Sequence, residues 1–195
     1  MKIGLYFGSF NPIHNGHLSI ASFVANNTDL KQVWFVVSPQ NPLKPENLLN
    51  EHQRLHLARI AVEDDSQLKV SDVEFKLPKP SYTIDTLIYL EEKYPQHEFV
   101  IIMGSDSFQN LTKWKNFELL VKKYAFIIYK RPGFEITETW NAKVTVLKAP
   151  LFDISATLIR KLITEKKSIR YLVPENVREE IKKGGYYKIK DKHSA

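Results

Sequence analysis

The chain has 195 residues, 43% hydrophobic and 12% aromatic, a globular composition that excludes a disordered or collagen-like chain. Cysteine is absent, which excludes disulfides, thiolate metal sites and cysteine nucleophiles together. The net charge is +6, yet residues 1–155 balance at 17 basic against 17 acidic side chains, and residues 156–195 hold 11 against 5. A nucleic-acid binder usually spreads its basic residues along one face. Here the excess sits in the C-terminal fifth, as a solvated lysine-rich helical end with a frayed tail (Lys188, Lys190, Lys192) or as a positive wall for a polyphosphate. The longest apolar runs, such as residues 33–37, span about five residues where a membrane helix needs about 20. The default is a cytoplasmic, soluble, single domain over 1–195, with no membrane and no nucleic-acid partner.

In chain order, residues 3–7 form an apolar first strand, so no leader is expected before it. Leu18, Ala21, Val24 and Ala25 share one helical face. Residues 33–37 are a second strand, and Leu55, Ala58, Ala61 and Val62 a second helical stripe. Residues 68–75 alternate loosely and predict a third strand. Ile84, Leu87, Ile88 and Tyr94 suit a helix that stops before Pro95. Residues 99–103 and 124–129 are continuous apolar runs, typical of parallel strands buried on both faces. A short strand at 144–147 and helices at 156–163 and 175–183 follow, the last ended by Gly184-Gly185. This alternation predicts an α/β fold, a Rossmann-like doubly wound parallel sheet with a C-terminal helical extension. Ligands of such sheets bind beyond the strand carboxyl ends, here segments 8–16, 38–50, 76–83, 104–115 and 130–140.

Neither a G-x-x-x-x-G-K-[ST] loop nor a G-x-G-x-x-G turn is present. The first strand runs instead into Gly8-Ser9-Phe10-Asn11-Pro12-Ile13-His14-Asn15-Gly16-His17. Gly8 is expected to allow a tight turn and close approach of a ligand. His14 and His17, three apart, converge from the loop and the first helical turn, where free N–H groups and the helix dipole favour an anion. Near the C-terminus, Ile154-Ser155-Ala156-Thr157-Leu158-Ile159-Arg160 puts two hydroxyls at a helix start and an arginine one turn on. That is either an ordinary cap with an exposed arginine or a phosphate clamp.

The run G-x-F-x-P-x-H-x-G-H resembles the T/HxGH signature of the nucleotidyltransferase superfamily, and I-S-x-T-x-[IL]-R resembles its second element. Three further stretches resemble bacterial nicotinate-nucleotide adenylyltransferase. They are residues 39–44 (Pro-Gln-Asn-Pro-Leu-Lys), Pro80-Ser81-Tyr82-Thr83, and the series Gly104-Ser105-Asp106, Trp114, Lys130-Arg131-Pro132-Gly133. The resemblance implies AMP transfer from ATP to nicotinate mononucleotide, giving deamido-NAD and pyrophosphate. By the same resemblance, His14, His17 and Arg160 are the catalytic residues. Gly8, Ser9, Phe10, Gly104, Asp106, Ser155 and Thr157 bind ATP with them. Lys44, Tyr82, Thr83, Trp114 and Arg131 bind the acceptor. It further implies Mg²⁺ arriving with ATP and no protein metal cage, and leaves a homo-oligomer open. A relative with another acceptor, using ATP or CTP, would keep both phosphate motifs. A basic RNA-binding module would instead use the C-terminal charge.

Overall fold

The computed structural model describes residues 1–40, 48–149 and 153–188. The apolar runs form six strands: β1 (Lys2–Gly8), β2 (Gln32–Val37), β3 (Leu68–Ser71), β4 (Glu98–Gly104), β5 (Ala125–Tyr129) and β6 (Lys143–Leu147). They pair in parallel in the order β3-β2-β1-β4-β5-β6, with Leu5 of β1 between Trp34 and Ile101. The expected doubly wound sheet is therefore present. From β1 the chain winds outward through β2 and β3, then returns to the other side of β1 with β4. At this reversal the connections leave opposite faces, opening a crevice beyond the strand carboxyl ends.

Because successive side chains of a strand point to opposite faces, each apolar run feeds two cores. Ile3 and Leu5 of β1, with Phe99, Ile101 and Met103 of β4, pack on α3 (Thr83–Lys93), the short α4 (Ser105–Gln109) and α5 (Phe117–Lys123). Tyr6, Val100 and Ile102 face α1 (Asn15–Asn26), α2 (Glu51–Ala61), α6 (Ala156–Thr164) and α7 (Glu175–Gly184).

 Helix α6 contributes Ile159, and α7 contributes Val177 and Ile181, so the C-terminal extension completes the second core. Truncating a fully buried residue such as Leu5 to alanine would cost about 2–5 kcal/mol.

Two predicted elements differ. Residues 68–75 do not form one strand: β3 ends at Ser71, and Val73–Lys76 is a 3₁₀ turn. The Ser71 hydroxyl accepts the Val73 N–H (3.3 Å) and the Asp72 carbonyl accepts the Phe75 N–H (3.0 Å), so local bonds replace the ladder. Helix α3 begins at Thr83 rather than Ile84, with Tyr82 as its N-cap residue. The expected glycine stop holds, since Gly185 takes the left-handed conformation (φ 62°) after α7.

Candidate active site

A cleft of about 700 Å³ lies in the crevice. Its wall includes Gly8, Ser9, Phe10, His14, His17, Gly104, Asp106, Ser155, Thr157 and Arg160, and also Tyr82, Thr83, Trp114 and Arg131. Every candidate among the described residues is thus brought to one place. Lys44 lies outside the described residues.

The first loop is shaped differently from expectation. The left-handed residue is Phe10 (φ 44°), not Gly8, which ends β1. Gly8 matters because a Cβ there would lie 2.7 Å from the Phe10 ring. Gly16 makes similar room: its Cβ would sit 3.0 Å from His14 Nδ1. His14 is the N-cap residue of α1, and its carbonyl accepts the N–H groups of His17 (2.9 Å) and Leu18 (3.2 Å). Its side chain makes no capping bond and instead stacks on the His17 ring, centroids 3.6 Å apart. Burial, helped by the positive charge of Arg131, pushes the His14 imidazole down to about 4. His14 is therefore a neutral ring at neutral pH, able to donate a hydrogen bond without carrying charge. The Ser9 hydroxyl is buried with no hydrogen-bond partner among the described residues.

Helix α6 brings the second motif to this loop. Ser155 caps α6, its Oγ accepting the Leu158 N–H (3.2 Å), so the hydroxyl proton stays available to a ligand. Arg160 donates from Nη2 to Thr157 Oγ1 (3.1 Å) and from Nη1 to the Asn11 carbonyl (2.7 Å). The two motifs, at opposite ends of the chain, are joined directly by that second bond. A cap, an arginine and the start of α1 then present donors to one region of the cleft.

Across the cleft, Gly104 leaves space for Asp106: a Cβ would lie 2.4 Å from its Oδ1. Asp106 does not cap α4, whose N-cap residue is Gly104, but faces Arg131 Nε at 3.4 Å. Arg131 Nη2 also donates to the Tyr129 hydroxyl (3.2 Å), which shares a hydrogen bond with the buried Tyr6 hydroxyl (3.0 Å). Trp114 is half-buried against the α3 side of the core and still lines the cleft. Tyr82 carries Lys115 Nζ 4.8 Å from its ring centroid, and Lys115 pairs with Asp85 at 2.8 Å. The Tyr82 side chain makes no capping bond, leaving the first N–H groups of α3 without that partner.

Sequence reasoning missed two buried charges behind these walls. Arg54 of α2, 1% exposed, donates to the carbonyls of Ser9 (2.6 Å), Ser38 (2.8 Å), Pro39 (2.9 Å) and Leu49 (2.9 Å). Glu74, 2% exposed, accepts from the hydroxyls of Ser81 (2.6 Å) and Thr86 (3.0 Å). Burial raises the Glu74 carboxyl above its ordinary range, while hydrogen bonds from Ser81, Thr86 and Ser38 oppose that shift. Neither residue belongs to the motifs read from the sequence, and only the tertiary fold turns them inward. Among the described residues, Glu74 and Asp106 are the carboxylates on the cleft wall. One is occupied by hydroxyls and the other faces an arginine, so neither fits a chelating cage. Among the described residues no group of three His, Asp or Glu side chains could hold a metal ion, and no helix is long and apolar enough to cross a membrane.

Comparisons agree with this geometry. Residues 5–162 match the family model described as cytidylyltransferase-like. The chain is 48% identical, over 96% of its length and all of the relative's, to a protein of Flavobacterium psychrophilum described as a probable nicotinate-nucleotide adenylyltransferase. A Cytophaga hutchinsonii protein of the same description is 50% identical over 96% of this chain and 98% of that one. Among solved structures, Plasmodium falciparum nicotinic acid mononucleotide adenylyltransferase complexed with NaAD superposes with a TM-score of 0.82. It is 25% identical, with 95% of this chain and 97% of that one covered. With an α/β crevice, two sequence motifs joined by the Arg160–Asn11 bond and near full-length relatives, the chain belongs to the nicotinate-nucleotide adenylyltransferase family of cytidylyltransferase-like proteins.

Proposed function

We propose a division of labour in the cleft for the reaction of this family. The chain transfers AMP from ATP to nicotinate mononucleotide, giving deamido-NAD and pyrophosphate. A phosphate oxygen of the mononucleotide attacks the α-phosphorus of ATP, that P–O bond forms, and the bond to the β-phosphate oxygen breaks. The attacking phosphate is already anionic near neutral pH, so neither a general base nor a protein nucleophile is needed. Catalysis rests on positioning and on stabilising charge at the α-phosphate.

The observation that carries this reading is the Arg160–Asn11 bond, which assembles the two phosphate motifs into one site. His17 and the neutral His14 contact the ATP phosphates, with His17 at the α-phosphate. Ser155, Thr157 and Arg160 hold the departing pyrophosphate, and Ser9 offers its unpartnered hydroxyl to the same chain of phosphates. Gly8 and Phe10 shape that floor, while Gly104 and Asp106 take the adenosine. Tyr82, Thr83, Trp114 and Arg131 form the acceptor side, with Trp114 stacked on the pyridine ring and the first turn of α3 receiving its carboxylate. Mg²⁺ enters as part of the substrate MgATP, where it neutralises phosphate oxygens.

The test is pyrophosphate release measured with ATP or CTP across a panel of acceptors: nicotinate mononucleotide, nicotinamide mononucleotide and phosphopantetheine. Turnover with ATP and the nicotinate form is expected to exceed every other pairing. Faster turnover with another acceptor, or with CTP, would reassign the pocket.

A further inference from the structure

We propose that Glu74 is a positioning residue for acceptor selection, holding the first turn of α3 so that the nicotinate form is preferred over its amide. The inference rests on the assignment of that turn to the acceptor's carboxylate. Glu74 lies in the 3₁₀ turn after β3, yet both its carboxylate oxygens are used on α3. Oε2 takes the Ser81 hydroxyl (2.6 Å), two residues before the helix, and Oε1 takes the Thr86 hydroxyl (3.0 Å), one turn into it. Between these two anchors lies the helix start, whose first backbone bond runs from the Thr86 N–H to the Tyr82 carbonyl (3.1 Å). The Ser38 hydroxyl at the end of β2 meets Ser81 Oγ (3.1 Å) and ties the same anchor to the sheet.

A carboxylate buried to 2% exposure with no ion pair among the described residues is costly unless its oxygens are fully used. Filling space would not need it. Glutamate here supplies two acceptors at a fixed spacing, and that spacing sets where the N–H groups of the turn point. A carboxylate ligand and an amide ligand differ only in what they present to those groups, so a small displacement of the turn erodes the distinction first. The proposed phosphate side is held chiefly by Arg54, which touches this network at Ser38 alone. Arg54 takes the Ser38 carbonyl rather than its hydroxyl, so the two supports meet at Ser38 on different atoms.

Steady-state kinetics of Glu74→Gln separates the outcomes. Glutamine keeps one acceptor and turns the other into a donor, so one hydroxyl must swing away. The KM for nicotinate mononucleotide is expected to rise about tenfold, the loss of about one hydrogen bond's worth of positioning. The ratio of kcat/KM for the nicotinate over the nicotinamide form is expected to fall by about the same factor, with the ATP KM held within about twofold. Ser81→Ala removes one anchor only and shifts the same ratio in the same direction, which keeps the test available should Glu74→Gln not fold. If the ATP KM rises with that of the acceptor, or the ratio stays put in both variants, Glu74 is structural only and the proposal is wrong. A wild-type ratio near one would instead remove the assignment of the turn to the carboxylate.

Discussion

Two buried charges of opposite sign stand behind the two walls of the cleft, and they are satisfied in different ways. Arg54 backs the proposed phosphate side and spends its N–H groups on main-chain carbonyls from three separate segments, at Ser9, at Ser38 and Pro39, and at Leu49. Glu74 backs the proposed acceptor side and is held by side-chain hydroxyls, chiefly those of Ser81 and Thr86 on either side of the start of α3. Neither has an ion-pair partner among the described residues. A charge bonded to main chain clamps loops whatever their side chains are, so its removal is felt throughout the fold. A charge bonded to hydroxyls governs one local geometry. The contrast is between a global clamp and a local one.

Breaking the global clamp has the largest expected effect. Arg54→Met leaves four carbonyls without their donor, three of them buried; at about 1–3 kcal/mol for each unsatisfied buried group, a loss of about 3 kcal/mol or more follows. That is a large share of the roughly 5–15 kcal/mol available to a domain, and urea denaturation would show it as a much lower midpoint. An unchanged midpoint would erase the distinction between the two supports. His17→Ala acts on chemistry rather than on the clamp: kcat is expected to fall by about 10²–10³, the usual cost of one donor to developing charge, with the melting temperature nearly unchanged. Near-wild-type kcat would remove the residue from the α-phosphate.

The loop of the two histidines also has a pH signature. His14 is depressed from 6.5 to about 4, so the unfolded chain takes up its proton first as the pH drops. The stability is whole above about pH 6.5 and is lost as the pH falls towards 4, by about 3 kcal/mol in total, with no further loss from this group below that. Chemical denaturation at a series of pH values should show this slope in the wild type and a flatter one in His14→Gln. Equal slopes would place the acid sensitivity elsewhere. The smallest effect belongs to the acceptor side. Trp114→Ala should raise the KM for nicotinate and nicotinamide mononucleotides by similar factors, about three- to tenfold, because a stacked ring meets both bases alike. Unequal factors would mean that the indole takes part in selection.

The cleft residues were legible where they sit at strand ends within short motifs, because there the sequence order and the spatial order coincide. His14 and His17 open the helix after the first strand, and Ser155, Thr157 and Arg160 open the helix that returns to it. The supports were not legible. Arg54 lies beside Leu55 in a helix read by its apolar stripe, and nothing local says that an arginine next to that stripe points inward. Glu74 lies in a stretch whose loose alternation reads as strand, but the hydroxyl of Ser71 and the carbonyl of Asp72 offer the backbone a turn instead. The left-handed position at Phe10 was hidden for a similar reason: Gly8 is the residue that can take such a conformation at low cost, but the ring packing over it decides where the turn falls.

The bond from Arg160 to the Asn11 carbonyl has a consequence for the timing of synthesis. The six strands of the described residues end at Leu147, so a growing polypeptide can pair them while α6 and α7 are still inside the ribosome. The proposed phosphate site is not complete at that stage, because Arg160 of α6 and the Ser155 cap before it have yet to reach the Asn11 loop. If the proposed assignment holds, nucleotide binding therefore waits until α6 has left the ribosome and docked against the Asn11 loop.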